Sequence, residues 1–144
     1  MRTRDFLGHL RHGDIVDAIR KAELETSGEI RVFVSRKNVS DPVAEAQAAF
    51  VQMGMQQTSQ RNGVLIFVAP RTHKFAVIGD LGIHERCGDE FWQELIAEVT
   101  PHFAEAHFSR GLIHAIRKTG AALAKHFPPE PGDRNELPND VATD

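Results

Sequence analysis

The stretch "GVLIFVAPRTHKFAVIGD" (residues 63–80) decides the fold. Val64 to Ala69 form an unbroken apolar run, which reads as a central strand buried on both faces, since a strand with one wet face would alternate. The connector "PRTHK" is too short for a crossover. "FAVIG" must therefore return antiparallel as a hairpin partner. Upstream, "EIRVFVS" (residues 29–35) is a further strand, with Ile30, Val32 and Val34 on one face and Phe33 on the other. Between the two strands, Asp41 and Pro42 supply a cap and a first-turn proline. Val43, Ala46, Phe50 and Met53 then mark a helix running to about Met55. A helix between strands allows them to pair in parallel with a right-handed connection. The expected fold class is α/β: a three-layer αβα sandwich whose small mixed β-sheet joins a parallel crossover to an antiparallel hairpin and is flanked by helices.

Further helices flank this core. Ile15, Ala18, Ile19 and Ala22 are spaced for an amphipathic helix over residues 13–25, which Phe6, Leu7 and Leu10 extend or precede as a turn. Gly28 is expected as its left-handed cap. A helix starting at Asp89 carries Phe91, Trp92, Leu95, Ile96 and Val99, and Thr100 with Pro101 is expected to break or kink it. The last helix runs from about Arg110 to His126. Residues 1–126 thus read as a single αβα domain. Residues 127–144, "FPPEPGDRNELPNDVATD", read as an acidic, proline-rich tail, disordered or extended.

Composition narrows the function classes. The 144 residues suit one core of ordinary size, and 41% hydrophobic with 26% charged residues is the balance of a soluble globular protein. The net charge of -3 lies in the tail, because residues 1–126 hold 16 Lys or Arg against 15 Asp or Glu. A near-neutral body without a basic stripe argues against nucleic-acid binding. Cys87 is the single cysteine, so neither an intrachain disulfide nor a multi-cysteine zinc motif can form. The first 29 residues are charged every few positions and supply no signal-peptide core, and no run approaches the roughly 20 apolar residues of a spanning helix. A cytoplasmic protein without a membrane span is expected.

The candidate site is "VIGDLGIHERCGDEFW" (residues 77–92). Gly79 ends the hairpin strand, Gly82 permits a turn, and Asp89 is expected to cap the next helix through a backbone N–H. Asp80, His84 and Glu85 are not explained by that joint, and they lie at a strand end, where α/β folds keep their clefts. Asp80, Glu85 and Asp89 are candidate ligands for a hard divalent cation, calcium or magnesium, which would need further oxygens to reach about six to eight. No cofactor is certain, since the spacing matches no fixed calcium loop. His84 and Cys87, three residues apart, are a two-residue metal signal. Cys87 reads either as a nucleophile of lowered pKa or, as is commoner, as a small buried residue. Most of the eight histidines read as surface residues, His107 and His114 sharing a face only if their helix is unbroken. Walker, GxGxxG, GxSxG and HExxH motifs are all absent. Trp92 and the phenylalanines fall on apolar helix faces and read as core.

Taken in order, "AELETSGEIRVFVS", "NGVLIFVAP", "FAVIGDLGIHERCGDEFW" and "PHFAEAHFSRGLIHAI", with the helix before each, resemble the TPM domain family over about residues 14–126. The tail "HFPPEPGDRNELPN" resembles that of a short soluble subgroup. The resemblance implies an αβα sandwich with an acidic cleft beside the strand ends, which holds calcium in some members. It also implies a phosphatase activity in a plant member, and assembly, repair or receptor-accessory roles at membranes in others. The family's loop glycine and leucine fall on Gly82 and Ile83 and its later aspartate on Asp89. Its usual glutamate falls on His84, with Glu85 next, which displaces one expected oxygen ligand.

Two functional expectations follow. One is a non-enzymatic binding or accessory module for an unknown protein partner, membrane-associated by the resemblance, with a cation-binding or cap-stabilised acidic loop. The other is a metal-dependent phosphomonoester hydrolase in which Asp80, Glu85 and Asp89 hold the ion, His84 is general acid or base, and Arg86 or Arg110 contacts phosphate. The first is preferred, because no constellation in the sequence ties nucleophile, metal and arginine clamp together.

Overall fold

The computed structural model describes residues 2–129 and 141–144. In chain order the elements are α1 (Thr3–His9), α2 (His12–Leu24), β1 (Glu29–Val34), α3 (Pro42–Gln52), β2 (Gly63–Ala69), β3 (Lys74–Gly79), α4 (Leu81–Cys87), α5 (Asp89–Ala104), α6 (Phe108–His126) and β4 (Ala142–Thr143). Single 3-10 turns lie at Met55–Gln57 and Pro70–Thr72. The strand order is β3-β2-β1-β4. β1 is parallel to both β2 and β4, and β3 returns antiparallel beside β2. The mixed αβα sandwich expected from the apolar run and the short connector is the architecture observed.

All seven residues of β2 are buried. Val64, Ile66 and Val68 face a core shared with Ile30, Val32 and Val34 of β1 and with Ile15, Ile19, Leu95, Leu112, Ile116 and Leu123 of α2, α5 and α6. Leu65, Phe67 and Ala69 face the other way, onto Ala46, Ala49 and Phe50 of α3 and Met55. The period of two along a strand thus sorts the run into two cores. α3 begins as expected, with Pro42 in its first turn and Asp41 Oδ1 accepting from the Ala44 N–H at 3.1 Å.

Several local expectations change. α5 continues through Pro101 to Ala104 because Phe103, in its last turn, packs edge-on against Phe75 and Phe108 and holds that turn in place. Gly28 has no left-handed backbone; a Cβ there would stand 2.8 Å from the Leu123 side chain, so the glycine lets β1 approach α6. In the tail, residues 130–140 lie outside those described. After them Val141 packs on the core, Ala142 and Thr143 pair with Phe33 and Val34, and Asp144 accepts from Ser35 Oγ at 2.6 Å.

The pairing register gives the sheet two distinct ends. Glu29 lies opposite Gly63, and Gly79 opposite Val64, so β3 delivers Asp80 to the amino end of the parallel pair. Ser35, Pro70 and the N-terminus of α6, through Phe108 against Phe6 and Phe103, lie at the carboxyl end. Among the described residues no helix is long and apolar enough to cross a membrane.

Candidate functional site

The segment between β3 and α5 is largely helical. Residues expected as a turning loop form α4, with Ile83 buried on the core. Gly82 is inside this helix, and a Cβ on it would stand 2.3 Å from the Gln60 carbonyl oxygen. α4 therefore rests directly on the backbone of the 60–61 turn, and the Gly82 N–H donates to the Arg61 carbonyl at 2.8 Å.

Asp80, 6% exposed, precedes α4 and is its cap. Its Oδ1 accepts from the Leu81 N–H at 2.8 Å and from Arg61 Nη2 at 2.8 Å, and its Oδ2 accepts from Arg61 Nε at 2.6 Å. Arg61 holds a left-handed backbone, φ 52°, an uncommon conformation for a non-glycine residue. This two-point bond matches the planar fork of guanidinium to a carboxylate. Bonding to Asp80 in turn raises the pKa of Arg61. Asp80 thus already faces a cation, one supplied by the chain.

The other candidates are placed apart from it. Asp89 does not cap α5; Gly88, at φ 77°, is the N-cap, and Asp89 occupies the first turn, where an acid complements the helix dipole. Its Oδ1 lies 3.3 Å from His84 Nε2, and both side chains are exposed, at 82% and 46%. Glu85 is exposed, and five residues along α4 it falls on a different face from Asp80. Among the described residues no three His, Cys, Asp or Glu side chains gather as a metal-ligand group.

Arg86 bonds the His126 carbonyl at 3.3 Å and stacks 5.0 Å above the Phe127 ring, which ties α4 to the end of α6. Arg110 lies on the first turn of α6, at the opposite end of that helix. Cys87 ends α4, and burial pushes its thiol pKa up against a smaller opposing pull from Lys125. A raised pKa keeps it a thiol at neutral pH, the reverse of an activated nucleophile.

A half-buried acid at the same end gives little sign of itself in the sequence. Glu23 closes the last turn of α2, and its Oε2 accepts from the Ile30 N–H at 2.9 Å. Burial, with Glu29 close beside it, pushes its pKa up to about 9, so it carries a proton at neutral pH. Nearby, Ser27 Oγ accepts from Gln60 Nε2 at 3.1 Å and from Asn62 Nδ2 at 3.3 Å. The sequence signal was an acid on either side of the "TSG" turn, at the seam where α2 meets β1.

The family model of the TPM domain matches residues 3–122. The NMR structure of BA42 protein from the psychrophilic bacterium Bizionia argentinensis is 39% identical with a TM-score of 0.85, the match covering 94% of this chain and 96% of that one. The N-terminal domain of a protein from P. gingivalis is 16% identical with a TM-score of 0.64, covering 79% and 76% of the two chains. The N-terminal domain of the cg2496 protein from Corynebacterium glutamicum is 15% identical with a TM-score of 0.57, covering 81% and 75%. The last two share the fold. No curated protein matches the chain.

Proposed function

We propose that this chain, which belongs to the TPM domain family, is a non-enzymatic binding module that engages a protein partner through the amino end of its parallel strands. The observation that carries this reading is the Arg61–Asp80 pair, whose two bonds at 2.6 and 2.8 Å use the carboxylate that a metal-assisted hydrolase would need free. Arg86 is held by Phe127, and Cys87 stays a thiol, so neither is available as phosphate clamp or nucleophile. Leu81, 58% exposed, starts α4 beside the pair, and Leu24, 72% exposed, ends α2 at the same end of the sheet. Two large apolar side chains in water at the same end of the sheet as a rigid polar clasp suit an anchor for another protein. The resemblance to the family adds that such a partner is associated with a membrane.

The test assays a panel of phosphate monoesters with calcium, magnesium, manganese and zinc, alongside a native pull-down with the wild type and Leu81→Asp. Absence of loop-dependent turnover, together with a partner retained by the wild type and lost by Leu81→Asp, is the expected result. Hydrolysis abolished by both His84→Ala and Asp89→Asn would replace the module with the hydrolase.

A further inference from the structure

The carboxyl end of the parallel strands, where open α/β sheets receive ligands, carries two adjoining depressions that the clasp at the other end does not touch. One, about 450 Å³, is apolar and walled by Phe6, Phe75, Phe103 and Phe108 with Val68 and Pro70. Its rings meet at 4.7 to 5.8 Å between centroids. The other, about 480 Å³, holds Arg11, Arg110 and Arg117 with His9, His102 and His114, and among the described residues no acid lines it. Three of its cationic side chains also have acidic neighbours: Glu98 is 3.3 Å from His114, Glu105 is 3.5 Å from His107, and Asp14 is 3.9 Å from Arg11. Among the described residues Arg110 and Arg117 have no ion-pair partner. Ala106 and Phe108 belong to both walls.

We propose that this pair of depressions is one binding site for a small amphiphilic anion, with its apolar body among the phenylalanines and its phosphate-type head against Arg11, Arg110 and Arg117. Each volume is within the range of small-molecule sites, and a mainly apolar pocket with a few converging polar groups is their usual make-up. Arginine's planar fork suits phosphate oxygens. The backbone agrees: His73 at φ 54° and Ala106 at φ 60°, two of the three described non-glycine residues with left-handed backbone, both line the apolar pocket. Such conformations collect at ligand clamps. The chain's net charge of -3 means that general attraction does not draw anions to it, so binding here requires local cations.

The experiment is an NMR titration of the whole chain with octyl phosphate below its micelle concentration, against inorganic phosphate and octanol separately, on the wild type and on Arg110→Gln/Arg117→Gln. Both arginines are exposed, so the variant is expected to melt with the wild type. Saturable shifts at Phe103, Ala106 and Phe108, at least tenfold tighter for octyl phosphate than for either half and weakened at least tenfold in the variant, are the expected result. The absence of saturable shifts at these residues would overturn the proposal, as would equal binding of octanol alone or an unchanged affinity in the variant. A parallel sedimentation with anionic phospholipid vesicles separates the sources of the head group. Attachment to vesicles without octyl phosphate shifts would overturn a small-ligand site in favour of a membrane-facing surface.

Discussion

At the amino end of the parallel strands these polar groups have partners within the fold: Arg61 pairs with Asp80, Arg86 lies over Phe127, and Glu23 accepts from a backbone N–H. At the carboxyl end, arginines and histidines line an open groove beside a phenylalanine pocket, and Arg110 and Arg117 have no ion-pair partner among the described residues. The first end resembles a structural clasp and the second resembles a receptacle. Richness in acids is therefore a poor guide to a site; what separates the two ends is whether each charge already has a partner and whether space lies before it.

The sharpest way to break this contrast is Asp80→Asn. If the pair is a clasp, removing one charge leaves the guanidinium facing a neutral amide beneath α4. Asp80 is buried but the Arg61 side chain is half exposed, so water screens part of the loss; the expected result is a clear destabilisation, the largest of the variants considered. Urea denaturation of wild type and variant measures it. A cost below about 0.5 kcal/mol, the range of ordinary surface changes, would mean that the carboxylate is not structural and would return it to candidacy as a ligand.

The Glu23 pKa, about 9, allows a second comparison by pH. An acid whose folded pKa is raised favours folding most below its unfolded value, near 4.5, and that stability is lost as pH rises through about 9. Glu23→Gln keeps the shape, puts an amide N–H donor in place of the acid's O–H, and cannot ionise. Its melting temperature is expected to match the wild type near pH 5 and to exceed it by a growing margin from pH 6 to 9. A gap that stays constant with pH would show that Glu23 is ionised in the folded protein and that the amino end tolerates its charge.

These features differ in how far they were legible from the chain. The sheet was readable because β2 is apolar throughout and the Pro70–Lys74 connector is too short to cross, two facts local in sequence. α4 was not, since a seven-residue helix with a glycine at its second position has little apolar period, and the Gly82 contact with the 60–61 turn helps hold it. Arg61 escaped notice because its pairing with Asp80 spans 19 residues and depends on a left-handed backbone that "RNG" does not announce. The histidines at 9, 102 and 114 read as scattered surface residues, and only the packing of α1, α5 and α6 sets them in one groove. Residue types indicate which chemistry is available; partners and cavities, which decide its use, come from contacts distant in sequence.

The smallest expected effect lies at the receptacle. Ala106 sits at φ 60° in the turn between α5 and α6, with its methyl group exposed. An alanine there carries roughly 1–2 kcal/mol of backbone strain that glycine avoids, while glycine loses about 0.4–1 kcal/mol through the freedom of its unfolded chain. Ala106→Gly is therefore expected to stabilise the protein by about 0.5 kcal/mol, a rise of one or two degrees in melting temperature for a chain of this size. If the strain also holds Phe103 and Phe108 in place as walls, relaxing it should weaken octyl phosphate binding even as stability rises. Opposite movement of stability and affinity is the signature of a turn kept strained to shape a site. If both rise together, the left-handed turn merely closes the chain between two helices, and the walls owe their placement to ring packing alone.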